Sequence, residues 1–123
     1  MLTIRREQIE TLNADLRRRF ETRMVAHVNQ FFRQRCELLG EGGVREWIVA
    51  GIERAAGYGI KAEVDVCRYI DVMFVFGRGF DTDPRYPWAA RILNARAANP
   101  RARVDHLVKS AKKRIPLGGY DRV

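Results

Sequence analysis

The first 38 residues contain no Gly and no Pro, and their apolar residues recur at helical spacing. Ile9, Leu12, Leu16, Phe20, Met24, Val28 and Phe31 are separated by three or four positions, which places them in one stripe along an α-helix. Val25 and Phe32 widen the stripe. Thr3 is positioned as an N-cap. The stretch reads either as one long helix over residues 4–38 or as two, broken near Phe20–Thr22 with Thr22 capping the second. Leu39-Gly40 supplies the stop, with Gly40 available for a left-handed cap.

The rest of the chain follows the same period. GEGG at 40–43 reads as a turn. Val44, Trp47, Ile48, Ile52 and Ala55 then form a second helical face, which Tyr58-Gly59 ends. Gly51, inside that pattern, weakens the helix by about 1 kcal/mol but lets another helix approach closely. Lys61 to Phe76 is the most apolar stretch and is rich in β-branched and aromatic residues, which raises a strand as the alternative. Asp65, Arg68 and Asp71 at helical spacing favour a helix buried on most sides. A lone strand would also leave its backbone groups unpaired. Gly77 and Gly79 end this element. Trp47, Ile70 and Phe74 are expected in the core.

Asp81 and Asp83, one residue apart after a Gly-rich turn, raise the question of a metal or acid pair. An EF-hand loop starting at Asp81 would have Arg85 at its fifth position and Ile92 at its twelfth, where Glu is needed. GRG at 77–79 lacks the following Lys-Ser/Thr of a phosphate loop. The spacing instead predicts punctuation: Asp83 as N-cap, Pro84 at the first helical position, and a helix carrying Trp88, Ile92 and Leu93 to about Ala98. Asn99-Pro100 breaks it. A last helix is expected from about Arg103 to Lys113, with Val104, Leu107, Val108 and Ala111 as its face.

These elements predict an all-α fold: one compact domain of five to six helices over residues 1–115, and a loose basic tail at 116–123. No apolar run approaches the roughly 18 residues of a membrane span. MLTIRREQIE has no apolar core of a signal peptide, so a cytoplasmic protein without membrane contact is expected. Cys36 and Cys67 are expected as buried, inert thiols. With only His27 and His106 beside them a zinc site is hard to assemble, and neither His sits beside a nucleophile motif. No catalytic, cofactor or metal residues are assigned.

The net charge of +8 is unevenly placed. Residues 1–84 carry 13 Lys/Arg and 13 Asp/Glu, whereas residues 85–123 carry 10 Lys/Arg against Asp105 and Asp121. All of the excess lies in the last third. It reads as a solvated arginine-rich face or as a surface for an anionic partner, protein or nucleic acid, with KSAKKR at 109–114 as the nucleic-acid candidate. The aromatic residues near positions 80–88 are candidate anchors for a partner.

TIRREQ near the start, RMVAHVNQFF at 23–32, GIERAAGYGI at 51–60, DVCRYIDVMFVFG at 65–77 and FDTDPRYPWA at 80–89 together carry a resemblance. The chain resembles small bacterial proteins encoded beside type VI secretion effector genes, often near spike and effector-adaptor genes. The similarity covers residues 1 to about 95, and none of its motifs is catalytic. The resemblance implies a non-enzymatic cytoplasmic accessory, a co-adaptor or chaperone that helps load a toxic effector onto the secretion spike. Its partner would be the effector or its adaptor, bound through Phe80, Arg85, Tyr86, Trp88 and Arg91. The rival readings are an immunity protein that neutralises a toxin and a small nucleic-acid binder using residues 101–114.

Overall fold

The computed structural model describes residues 6–115, and side chains from Asn13 onward. The expected Thr3 cap and the tail at 116–123 lie outside the described residues. The Gly- and Pro-free opening forms α1 (Arg6–Phe31). The break falls at Phe32, with φ −131° and ψ 49°, some ten residues beyond the expected place. Thr22 does not cap: its hydroxyl donates back to the Arg18 carbonyl at 3.0 Å, a bond made inside a continuous helix. At Phe32 the chain leaves the helix and packs its ring against Phe74, with centroids 5.7 Å apart. α2 (Arg33–Gly57) then packs back along α1.

Gly40 alone departs from helical torsions inside α2, with φ 74° and ψ 168°, a combination that essentially only glycine adopts. GEGG is therefore a one-residue kink, and the helix resumes before Val44. Gly51 has the role its position predicts. A Cβ there would stand 2.9 Å from Ile70 Cγ1 and 3.0 Å from Met73 Cε, so its bare backbone lets α2 reach α3 (Glu63–Phe76).

α3 is a helix and forms the centre of the molecule. Tyr69, Ile70, Val72, Met73 and Phe74 on it are buried, within a single apolar cluster that includes Met24, Val28, Ile48, Leu93, Val104 and Leu107. Trp47, expected in that core, is only half-buried: it meets Phe74 edge-on, and the Arg35 guanidinium stacks on its ring at 5.3 Å. Arg35 also donates to the carbonyls of Phe74 and Val75, at 3.0 and 3.2 Å, which satisfies orphan acceptors at the end of α3.

The C-terminal third differs most from expectation. A 3-10 turn over Phe80–Thr82 precedes α4 (Pro87–Leu93) and α5 (Pro100–Arg114). Asp83 does not cap α4; Tyr86 occupies that position and Pro87 starts the helix. The Asn/Asp-Pro cap expected at Asp83-Pro84 occurs at Asn99-Pro100, where Asn99 accepts from the Ala102 N–H at 2.8 Å. α4 ends at Leu93, not at Ala98, because Arg103 of α5 donates to the Leu93 carbonyl at 2.7 Å and closes the helix there.

The fold is all-α: five α-helices, or six if α2 is divided at Gly40, with no strand among the described residues. No helix among them is long and apolar enough to cross a membrane.

Candidate functional site

The expected partner surface divides into core and surface. Phe80 is 1% exposed, because the 3-10 turn folds it inward against Tyr69 at 5.3 Å. Trp88 is 6% exposed, edge-on to Phe76 and covered by the Arg114 guanidinium at 4.7 Å. Neither ring is available as an exposed anchor. Tyr86 is half-buried, against Phe76 at 5.1 Å and Trp88 at 6.2 Å. Arg85 and Arg91 are exposed.

Arg85 is nevertheless fixed. Its backbone N–H donates to Asp83 Oδ1 at 2.9 Å and its Nη2 to Oδ2 at 2.8 Å, and its guanidinium lies 5.2 Å from the Tyr86 ring centroid. The Arg85 fork holds the Asp83 carboxyl below the usual carboxylate range. Asp83 is thus punctuation as expected, but it closes a turn. The result is a row of guanidinium, phenol, indole and guanidinium: Arg85, Tyr86, Trp88, Arg114.

Asp81, expected as part of the same punctuation, has a different role. Its carboxylate has no solvent exposure. Arg54 Nε donates to Oδ2 at 3.0 Å, Arg54 Nη2 donates to the same oxygen, and Tyr58 Oη donates to it at 2.7 Å. Burial, together with the Asp81 charge, pushes the Tyr58 phenol up to about 12 and raises Tyr69 as well. Oδ1 of Asp81 has no hydrogen-bond partner among the described residues. This group ties the C-terminal end of α2 to the turn before α4.

The two cysteines also part ways. Cys36 is buried, and burial raises its thiol. Cys67, expected in the core, is half-buried at the seam of α1 and α3. There it meets the His27 ring, with Sγ 3.8 Å from Nε2, and Asp71 Oδ1 lies 2.6 Å from that same nitrogen. A nucleophile–base–carboxylate relay needs the two partners on opposite ring nitrogens, so this convergence on Nε2 does not have that geometry. The sequence does not link His27 to Cys67, which lies 40 positions away. The available signal was Cys67 and Asp71 four apart, on one face of α3. His106 is exposed on α5, as are Lys109, Lys112, Lys113 and Arg114.

No family model, no curated protein and no solved structure matches this chain.

Proposed function

We propose that this chain is a protein-binding accessory, a co-adaptor or chaperone that binds an effector or its adaptor for type VI secretion. The observation that carries the binding role is the fixed Arg85–Tyr86 stack. An exposed arginine is held by a carboxylate over a ring that itself packs against two others. Arg and Tyr are the residue types that dominate binding hot spots, and side chains ordered in advance lose little freedom on docking. Arg91 and the exposed cations of α5 add positive charge in the same third of the chain, which speeds encounter with an acidic partner. The secretion setting and the cytoplasmic location rest on the sequence resemblance over residues 1 to about 95.

Co-expression of the chain with each protein encoded beside it, followed by size-exclusion chromatography, tests the reading. A stable complex with an effector or adaptor, and loss of effector secretion when the chain is deleted, are expected. Rescue of cells from a toxin without any effect on secretion would assign the immunity role. Co-purifying nucleic acid that high salt strips away would assign function to Lys109, Lys112, Lys113 and Arg114, which are exposed and suited to that task.

A further inference from the structure

We infer that His27, Cys67 and Asp71 form a site for one zinc-class divalent ion that clips α1 to α3. The inference is independent of the secretion reading. His27 Nε2, Cys67 Sγ and Asp71 Oδ1 all lie within 4.8 Å of one another. Two rigid elements present them. Cys67 and Asp71 are one turn apart on α3, and His27 faces them from α1. The His27 side chain is 14% exposed and that of Asp71 5%, so the site is shielded yet reachable. The Phe31 ring packs beside the imidazole, with centroids 5.1 Å apart. One turn toward the N-termini, Arg23 and Glu63 close the same seam with an ion pair at 2.6 Å.

The ligand set selects the ion. Imidazole nitrogen, thiolate sulfur and carboxylate oxygen together suit Zn²⁺, whereas Ca²⁺ and Mg²⁺ require oxygen ligands. Zn–N and Zn–O bonds of about 2.0 Å and a Zn–S bond of about 2.3 Å put tetrahedral ligand atoms roughly 3.3–3.5 Å apart. The Sγ to Nε2 separation of 3.8 Å is near that spacing. The Nε2 to Oδ1 separation of 2.6 Å is a hydrogen bond that opens by less than an ångström when the ion replaces the shared proton. Three protein ligands leave the fourth position for water. Binding releases the thiol proton and frees Nε2, with the ring proton moving to Nδ1, so affinity falls as pH falls.

Cobalt(II) reports on such a site directly. The full chain, purified under reductant and stripped with a chelator, is titrated with Co²⁺. One equivalent, tetrahedral absorption and a thiolate-to-cobalt charge-transfer band are expected, with Zn²⁺ displacing the cobalt. Zn²⁺ should raise the melting temperature, and chelator should reverse the rise. Cys67→Ser should abolish the charge-transfer band. His27→Gln should weaken binding by more than the ten- to hundredfold typical of losing an outer hydrogen-bond partner of a metal ligand. Cys36→Ser and His106→Gln should leave the band and the affinity unchanged. Circular dichroism of each metal-free variant checks folding, and Asp71→Asn replaces any variant that fails it. Absence of saturable cobalt binding overturns the inference, as does a charge-transfer band that survives Cys67→Ser or disappears with Cys36→Ser.

Discussion

Arg54 and Asp81 form an ion pair in which the carboxylate is wholly buried while the arginine side chain keeps 45% of its exposure. The asymmetry decides which partner can be lost. Arg54→Ala strands a buried charge that, among the described residues, keeps the Tyr58 hydroxyl as its donor. Loss of one partner from a fully buried pair costs about 3–5 kcal/mol, and the exposure of Arg54 reduces this to roughly 2–3 kcal/mol. Asp81→Asn, which keeps an acceptor and leaves Arg54 in contact with water, should cost less. Urea unfolding measures both, and equal losses would mean that the burial of Asp81 is not what makes the pair matter.

The cap at Asn99 and the turn at Asp83 make a second contrast. Asn99→Ala removes the acceptor for the Ala102 N–H and should cost about 1 kcal/mol. Asp83→Ala should free Arg85 without unfolding a helix, because no helix begins there. Helicity by circular dichroism should therefore survive Asp83→Ala, while Asn99→Ala lowers the melting temperature.

Gly51→Ala gains up to about 1 kcal/mol of helix propensity, yet it drives a methyl to 2.9 Å from Ile70 Cγ1. Ile holds one main rotamer in a helix and yields poorly, and overpacking typically costs about 1–3 kcal/mol. A net loss near 1 kcal/mol is expected. Gly42→Ala meets nothing within 4 Å and should stabilise by about 0.5 kcal/mol. Thermal melts of the two variants should move in opposite directions.

Tyr58 and Tyr69 make the fold sensitive to alkali. Both phenols have their pKa raised in the folded protein, Tyr58 to about 12 from 10.0, chiefly by burial and then by Asp81. A group raised on folding contributes stability that is whole below its unfolded pKa. That contribution declines as pH climbs from about 10 through about 12. Cys36, raised by burial from 9.0, acts in the same direction from lower pH. The urea midpoint should fall across this range, with phenolate absorbance appearing together with loss of helicity. Tyr58→Phe should flatten the fall, and Tyr69 should preserve part of it.

The helices were legible because their stripes are long and their period is clear, as in Met24, Val28, Ile48 and Ile70, all buried. The boundaries were not, because tertiary contacts set them: Phe32 packs on Phe74 to end α1, and Arg103 reaches ten residues back to end α4. Two of the polar groups that tie the helices together join residues far apart in sequence. Arg54 with Asp81 and His27 with Asp71 are separated by 27 and 44 positions. No local pattern announces such pairs. At the expected partner surface, the residue types were readable but their burial was not, since Phe80 and Trp88 turn inward where Arg85 and Arg91 remain outside.

That division sets the probes for the partner. Tyr86→Ala removes a ring packed against Phe76 and Trp88, so it lowers the melting temperature as well as affinity and cannot separate the two effects. Arg85→Ala and Arg91→Glu alter exposed side chains and should leave the melting temperature within a degree or two of the parent. Arg85→Ala should weaken the complex by slowing nothing and hastening dissociation, because the guanidinium is already ordered for contact. Arg91→Glu should instead slow association, most at low ionic strength, because a rim charge acts mainly on encounter. Surface plasmon resonance against the co-eluting protein at two salt concentrations separates the rate constants. If neither variant changes either rate, the partner docks elsewhere on the molecule, and the Arg85–Tyr86 stack serves only to close its turn.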